Sequence, residues 1–449
     1  MLDDNQIHLW LENVPDHPDS DCAAPRKRKQ LQQFTPPHST SGTSGMEHTS
    51  TPKRRRIGDD DKTPRAKGAR TGSQLSSLSS ISLPPSQQGD MPTQASSPRR
   101  QFMGLNLDIG GLECKQLDSD HPPLAAARLV QKLLEIDMGI DILPHEKQSE
   151  VTRILQEKGL NSKTWRSAFK DEGADTLPGR VPSWEELNTV REQAMECFNS
   201  DHEEFSWNME VHHPLLKSIF RASGSDSGQP FDFMSCTTAR PHRNYLPYSS
   251  RQKMVDFCLF DNSDVDAQAR RALAQRTITQ TVNHTDYRPL QLRPIILSIE
   301  TKRPGKDLDV AQLQMGVWHT AQWRFLQSAV KAMITSTQPD GADEEAITDA
   351  VKAALLQLGL LPGVIIQGHR WLFVFSTLEP HTTILEDGTD ITVYRTILWT
   401  EQEFGSTQSI LKTYQIVAGL RHLAGWVKDF YTPWYRKYVL SSLGPKQST

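Results

Sequence analysis

The segment PIILSIETKRPG, residues 294–305, constrains the fold more than any other stretch of this 449-residue sequence. Its first six residues are apolar without the polar alternation of a half-exposed strand, which is typical of a strand buried on both faces. The run then ends in Glu300 and Lys302, and Pro304-Gly305 breaks it. We therefore predict a central β-strand over residues 294–302 that ends in a carboxylate and an amine.

Glu300 and Lys302 are two residues apart, so in a strand they project to the same side. An exposed edge strand often carries such a charge pair for solubility, but the unbroken apolar run before it favours a central strand. Charged groups at the end of a buried strand need partners such as a metal ion or a phosphate. The pair is therefore a candidate site.

A second carboxylate, Asp256, interrupts the apolar run KMVDFCLF, residues 253–260, which is another predicted strand. Mg²⁺ typically binds one or two carboxylates together with waters and phosphate oxygens. An ammonium group beside such an ion can orient a water and offset the charge that builds on phosphorus. We expect a Mg²⁺ (or Mn²⁺) site with Asp256 and Glu300 as ligands and the Lys302 ammonium group beside the ion.

A long helix predicted over residues 308–335 supplies one more candidate. At helical spacing Val310, Val317 and Trp318 belong to an apolar stripe, and Gln314 lies near its middle. A glutamine in such a face is either a buried structural hydrogen-bonding group or a site residue. Its closeness to the strand favours a site role.

Two nearby pairs of residues could be taken for metal ligands, but the local sequence pattern favours structural roles. His212 and His213 are adjacent, so on a helix they point apart, and we expect structural roles for both. Asp307 and Asp309 lie at the start of the long helix, where we expect them to cap its N-terminus.

The remaining pattern predicts an α/β fold in which helices enclose a mixed β-sheet. Strands are expected at 231–237, at 391–400 and in a hairpin over 363–378 that turns near Gly368-His369. Helices are expected near 122–140, 146–159, 183–198, 204–222 and 344–359, and in a C-terminal segment stopped by Pro433. The segment DVDAQARRALAQR should form a short inserted helix.

The N-terminal region is rich in Ser, Thr, Pro, Gln and Gly and poor in aromatic residues, which predicts disorder. Residues 24–70 hold 12 Lys or Arg and 4 Asp or Glu, a charge of +8; because the whole chain carries −4, the rest sums to −12. Two basic clusters predict a bipartite nuclear import signal, an import receptor as partner and a nuclear location, with a solvated charge run as the alternative. They comprise Arg26, Lys27, Arg28 and Lys29, and Lys53, Arg54, Arg55 and Arg56.

Several classes of protein are disfavoured. No run approaches the roughly 18 apolar residues of a membrane span, and the first residues lack the basic and apolar regions of a signal peptide. The five cysteines form no CxxC pair, so neither a zinc site nor a disulfide framework is indicated. The segment IHLWLENV, residues 7–14, is either a docking peptide or a loose turn.

Together, Asp256, Glu300-x-Lys302 and Gln314-x-x-x-Trp318 resemble the PD-(D/E)XK nuclease superfamily, in particular the QxxxY branch of RecB and phage lambda exonuclease. The longer segments FSWNMEVHHPLL and VNHTDYRPLQLRPIILSIETKRPG are similar to fungal PD-(D/E)XK nuclease-like domain proteins. The likeness covers about residues 120–440. It implies a restriction-endonuclease-like core and hydrolysis of phosphodiester bonds in nucleic acid, with DNA favoured.

The resemblance also implies roles for individual residues. Asp256, Glu300 and the backbone carbonyl of Thr301 would bind the metal ion, Lys302 would be catalytic, and Gln314 would help to place metal or substrate. Many relatives add a glutamate from the first core helix; Glu204 is the best match here and Glu210 the second.

The family pattern has two departures. Val255 stands in place of proline before the aspartate, which changes no ligand, and the gap of 44 residues from Asp256 to Glu300 implies an insertion that contains the short helix. We expect a tail over 1–105, a helical extension over 106–200 and the nuclease-like core over 201–440. The alternative to a nuclease is a catalytically inactive module of the same fold that binds nucleic acid or a protein partner. An enzyme acting on another phosphate-containing substrate is a third reading.

Overall fold

The computed structural model describes residues 97–221, 230–248, 250, 253–338, 343–384 and 390–441. The predicted import clusters and residues 7–14 lie outside these ranges. The first described helix starts at Pro98, inside the range assigned to the tail. Proline at the first helical turn and the Ser97 side chain, which accepts a hydrogen bond from the Arg100 amide, stabilise this start.

The helices and strands follow one another in a mixed order. The helices are α1 Pro98–Leu107, α2 Ala127–Asp137, α3 Gln148–Glu157, α4 Trp184–Asn199, α5 Glu204–Trp207, α6 His213–Phe220, α7 Ala267–Arg276, α8 Leu308–Thr337, α9 Glu344–Leu358, α10 Ile410–Trp426 and α11 Thr432–Tyr435. The strands are β1 Leu112–Gln116, β2 Phe231–Ser235, β3 Phe257–Asp261, β4 Ile295–Lys302, β5 Leu361–Gln367, β6 Arg370–Ile384 and β7 Asp390–Ser406.

The strands form one seven-stranded mixed sheet in the order β1-β7-β6-β5-β4-β3-β2. The β1–β7 and β4–β5 pairs are parallel, and the other neighbours are antiparallel. All eight residues of β4 are buried, and the strand lies between β3 and β5. The predicted central strand is therefore confirmed, as is the hairpin that turns at Gly368-His369.

Helices cover both faces of the sheet, which confirms the predicted α/β architecture. Successive residues of β6 alternate between two apolar cores: Phe373 packs into the larger core, and Val374 into the smaller one. The N-terminal half of α8 fills the smaller core with Met315, Val317 and Trp318. The sheet is thus buried on both faces, which explains its continuous apolar strands.

The region predicted as a helical extension, residues 106–200, also contributes to the sheet. It contains β1, which pairs with β7 and forms one edge of the sheet. This five-residue strand, LECKQ, was missed because it has little apolar character of its own and is stabilised by its pairing with β7. The inserted helix is found as α7, and α4 begins with the expected capping box of Ser183 and Glu186.

Two prolines lie within continuous helical segments, each just after a π-helical turn. The turn Asn208–His212 leads into α6 and Pro214, and the turn Val427–Tyr431 leads into α11 and Pro433. The expectation that Pro433 stops the C-terminal helix is wrong: a further π turn, Arg436–Leu440, follows. A wider turn accommodates a residue that lacks the N–H group needed by a regular helix.

Among the described helices, none is both long enough and apolar enough to cross a membrane.

Two histidines are fully enclosed in the core beside α8. His284 and His319 are 1% and 0% exposed, and within the described residues neither ring nitrogen of either side chain has a hydrogen-bond partner. Burial lowers the pKa of both imidazoles to about 3. Both therefore remain neutral in the folded protein at any moderate pH.

Acid should destabilise the fold through these histidines. Because the unfolded chain binds their protons near pH 6.5 and the folded chain only near pH 3, their stabilisation is present above pH 6.5 and is lost as pH falls. Each contributes about 1.4 kcal/mol of unfolding free energy per pH unit within that window. Urea unfolding at several pH values between 6 and 4 gives the unfolding free energy as a function of pH. For His319→Gln, this free energy should change less steeply with pH than in the parent protein, by about 1.4 kcal/mol per pH unit. An unchanged slope contradicts the assignment; the surface variant His121→Gln is the control.

Candidate active site

The candidate site lies at the C-terminal end of β4, on the face that packs against α8. Trp318 of α8 donates a hydrogen bond from Nε1 to Ser298 Oγ at 2.8 Å. Because side chains two residues apart share a face, this contact directs Glu300 and Lys302 to the same side as α8. The helix thereby sets the direction in which the charged end of the strand projects.

Glu300 and Lys302 contact each other directly. Lys302 Nζ donates to Glu300 Oε1 at 2.5 Å and to the Thr301 carbonyl oxygen at 2.7 Å. Glu300 is 1% exposed and Lys302 is 7% exposed. The pair predicted from its spacing is thus a buried, hydrogen-bonded ion pair, and the carbonyl expected to be a metal ligand faces the same ammonium group.

Asp256 immediately precedes β3 instead of lying within it, because the strand begins at Phe257. Its backbone amide donates to the Ile299 carbonyl at 3.1 Å, which holds it against β4. Its Oδ2 accepts hydrogen bonds from the amide of Thr301 at 2.8 Å and from the Thr301 hydroxyl at 2.9 Å. Thr301 therefore contributes three groups to the site: an amide and a hydroxyl toward Asp256, and a carbonyl toward Lys302.

The structure distinguishes between the two glutamates considered on the first core helix. Glu204 Oε2 lies 3.4 Å from Lys302 Nζ, and its side chain is 38% exposed. Glu210 lies in the π turn and is exposed to solvent. Glu204 is therefore the acidic residue that faces the site, at its more solvent-accessible side.

Gln314 lies beside the segment that carries Asp256. Its side-chain amide donates to the backbone carbonyl of Met254 at 3.1 Å. A hydrogen bond from α8 to this carbonyl anchors the chain two residues before Asp256. Gln314 is thus a partly buried structural hydrogen-bonding group that lies next to the site. A direct role in placing metal or substrate stays a prediction.

The carboxylates and the lysine shift one another's protonation. Burial, reinforced by the negative charge of Asp256, raises the pKa of Glu300 well above its usual range, although Lys302 opposes the shift. Burial also raises the pKa of Asp256 and of Glu204. Burial alone would lower the pKa of Lys302, but the surrounding carboxylates outweigh it and raise the pKa. The lysine therefore stays charged, and the site concentrates acidic groups around it.

The donor set fits a hard divalent cation. Glu300 Oε2 is buried and has no hydrogen-bond partner among the described residues, and a carboxylate oxygen in this position is a suitable metal ligand. Within the described ranges no three His, Cys, Asp or Glu side chains group closely enough to hold an ion by themselves. Asp256, Glu300 and the Thr301 carbonyl are accordingly the residues that would hold it, with further positions left to water or substrate.

The turn between β5 and β6 holds the end of β4 and the segment after it in place through hydrogen bonds. Gly368 donates its amide to the Lys302 carbonyl at 2.8 Å, and its own carbonyl accepts a hydrogen bond from His212 Nε2 at 3.4 Å. Gly368 has a φ of +58°, and a Cβ atom there would collide with Pro304. Gln367 donates to the Lys306 carbonyl at 3.0 Å. Sequence reasoning missed these supports, whose only signal was glycine in a predicted hairpin turn.

The two neighbouring pairs, His212-His213 and Asp307/Asp309, have the local surroundings of structural residues. His212 is buried against Trp207 and the Gly368 carbonyl, whereas His213 packs on Phe233, so the two rings have separate surroundings as expected. Asp307 occupies the N-cap position of α8, but its side chain makes no capping hydrogen bond. The predicted cap by Asp307 is therefore wrong; its left-handed backbone, with a φ of 54°, turns the chain into the helix.

The Thr301 hydroxyl should be required to hold Asp256. Thr301→Val preserves side-chain shape but removes one of the two hydrogen bonds to Asp256 Oδ2, which should lower the unfolding free energy by about 1.5–3 kcal/mol. Denaturant unfolding at neutral pH measures the change. Thr301→Ser retains the hydroxyl and is the matched control. Equal stability of Thr301→Val and the parent protein would show that the hydroxyl contributes nothing.

Comparison with known proteins agrees with this geometry. A family model described as the PD-(D/E)XK nuclease superfamily matches residues 150–432, a range that includes Asp256, Glu300, Lys302 and Gln314. No curated protein and no solved structure gives a significant match. The matched range covers more than half of the chain and nearly all of its sheet. The chain therefore belongs to the PD-(D/E)XK nuclease superfamily.

Proposed function

We propose that this protein is a metal-dependent nuclease that hydrolyses phosphodiester bonds in nucleic acid, with DNA as the favoured substrate and Mg²⁺ or Mn²⁺ as the cofactor. The observation that carries the proposal is the buried ion pair of Glu300 and Lys302, which lies beside Asp256 at the end of the central strand. Its components are those that hydrolysis of a phosphodiester requires: carboxylates for a cation and an ammonium group for developing negative charge.

Each residue has a role that follows from its contacts. Asp256 and Glu300, with the Thr301 carbonyl, would hold the ion, which when bound polarises the phosphate and lowers the pKa of water. Lys302 remains protonated, and its ammonium group can orient the attacking water and stabilise charge on the phosphate oxygens. Gln314 keeps the Asp256 segment in place through Met254.

Glu204 is positioned to influence access to this site. It is the more exposed of the two carboxylates that contact Lys302, and it is the first residue of α5. We therefore assign it to the side from which substrate or water enters. A role as an additional metal ligand remains a prediction from family resemblance.

The proposed nuclear location and the choice of DNA as substrate are based on the sequence. The two basic clusters in residues 24–70 support import into the nucleus, and their charge of +8 supports electrostatic attraction to phosphate. DNA is the nucleic acid that this location favours.

Lys302 should be essential for cleavage. With Mg²⁺ or Mn²⁺, the purified protein should nick or degrade plasmid and linear DNA, and Lys302→Ala should reduce the rate by about 10²–10⁴-fold because charge stabilisation is lost. Gel-based cleavage measures the rate, and circular dichroism confirms folding. Lys331→Ala, a surface variant on α8, is the control. Cleavage by Lys302→Ala at the parent rate would rule out the mechanism.

Metal binding should depend on the two carboxylates. Titration calorimetry with Mn²⁺ should detect binding to the parent protein, and Asp256→Asn or Glu300→Gln should weaken it at least tenfold because a charged ligand is lost. Asp349→Asn, at an exposed position on α9, is the matched control. Equal affinities for all four proteins would place the metal elsewhere.

A non-cleaving module of the same fold is the second candidate. The acidic balance of the chain outside residues 24–70, −12, supports it, because a general DNA-binding surface is normally basic. In that case the parent protein would bind no Mn²⁺ in the calorimeter and would leave DNA intact.

A further inference from the structure

A large groove lies away from the candidate active site. It has a volume of about 1150 Å³ and is lined by α2, the end of α9, and the C-terminal helical segment, which comprises residues 410–440. Leu358 and Gly359 line it and lie just before β5, separated from its first residue by Leu360. Lys302, in contrast, pairs with Gln367, the last residue of that strand. The groove is therefore at the opposite end of the sheet, about 20 Å from the site.

The lining of the groove is mainly apolar and includes several exposed side chains. Leu124, Leu356 and Phe430 are 94%, 48% and 51% exposed. Phe430 stacks on Trp426 at a ring distance of 6.2 Å, which keeps an aromatic surface in place. The volume is above the roughly 300–1,000 Å³ of small-molecule sites, which favours a longer occupant such as a helical peptide.

Cationic side chains accompany this apolar surface. Arg128, Lys132 and Lys437 line the groove together with Glu135 and Asp429. Lys132 is paired with Glu135 at 2.9 Å, whereas Arg128 and Lys437 have no carboxylate partner among the residues that the structure describes. The groove thus combines an apolar floor with two cations available to an acidic occupant.

One segment of this chain has the complementary pattern. In IHLWLENV, Ile7, Trp10, Leu11 and Val14 are spaced i, i+3, i+4 and i+7, which is the spacing of apolar anchors on a helix that binds in a groove. Residues 1–17 contain four acidic residues and no Lys or Arg; the acids are Asp3, Asp4, Glu12 and Asp16. Two acids precede the apolar residues, where they favour a helix N-terminus.

The length of chain between this segment and the fold permits contact. Roughly 80 residues separate Val14 from Ser97, and a chain of that length can span at most about 260 Å. Tethering of this kind gives an effective concentration of order millimolar or somewhat below, so even weak intrinsic affinity suffices for docking.

We propose that residues 7–14 dock as an amphipathic helix into the groove between α2 and the C-terminal helical segment. Its apolar anchors contact the Trp426–Phe430 surface, and its acidic residues face Arg128 and Lys437.

Photocrosslinking in the full chain tests this contact. A p-benzoylphenylalanine in place of Trp10 should form intramolecular crosslinks, located by mass spectrometry, to residues 124–135 or 422–438. The same probe in place of Phe34, an aromatic residue elsewhere in the tail, is the matched control and should give at least fivefold fewer. Phe430→Ala and Lys437→Glu should each reduce the Trp10-position crosslinks at least fivefold, whereas Tyr248→Ala, at an exposed aromatic outside the groove, should leave them unchanged.

Other outcomes overturn the proposal. Crosslinks spread over the whole surface, or equal yields from the two probe positions, would show that the segment has no defined docking site. Crosslinks only between two chains, increasing with protein concentration, would assign the groove to a second copy. DNA cleavage by Phe430→Ala at the parent rate is expected, so this test is independent of the proposed nuclease activity.

Discussion

The burial of an ion pair at the end of the central strand is the constraint on which the site depends. Glu300 and Lys302 are removed from water, and each alone would be strongly unfavourable in that position. Their mutual hydrogen bond offsets part of the cost, and the Thr301 carbonyl and Glu204 provide further partners for the ammonium group. A buried pair of this kind is weak support for stability, and its burial together with shifted pKa values marks it as a candidate functional site.

The surrounding fold is arranged to keep this pair in one geometry. The position of β4 between β3 and β5 places Asp256 next to Thr301 on one side and Gly368 next to the Lys302 carbonyl on the other. On the face of the sheet, α8 contributes Trp318 and Gln314, which hold Ser298 and the segment before Asp256. Helix, turn and neighbouring strand thus restrict the charged residues from three directions, as a catalytic site of the proposed kind would require.

Part of this arrangement could be predicted from the residues. The side-by-side placement of Glu300 and Lys302 follows from the two-residue period of a strand, and the central position of β4 follows from its unbroken apolar run. The contact of Thr301 with Asp256 could not be predicted, because it depends on the register between β3 and β4. The choice between Glu204 and Glu210 likewise could not be predicted, because it depends on the path of the helix past the site. Strand β1 could not be predicted because it forms by pairing with β7.

The sequence by itself determined the chemical groups, the strand that carries them and the mixed order of strands and helices. These features depend on local periodicity and on the cost of burying charge, both of which can be read from neighbouring residues. Only the tertiary structure decided which oxygen of each acid is engaged, which helix passes the site, and where a broad apolar groove forms. Such contacts join residues far apart in the chain, and their geometry is set by packing of the whole fold, which no local pattern specifies.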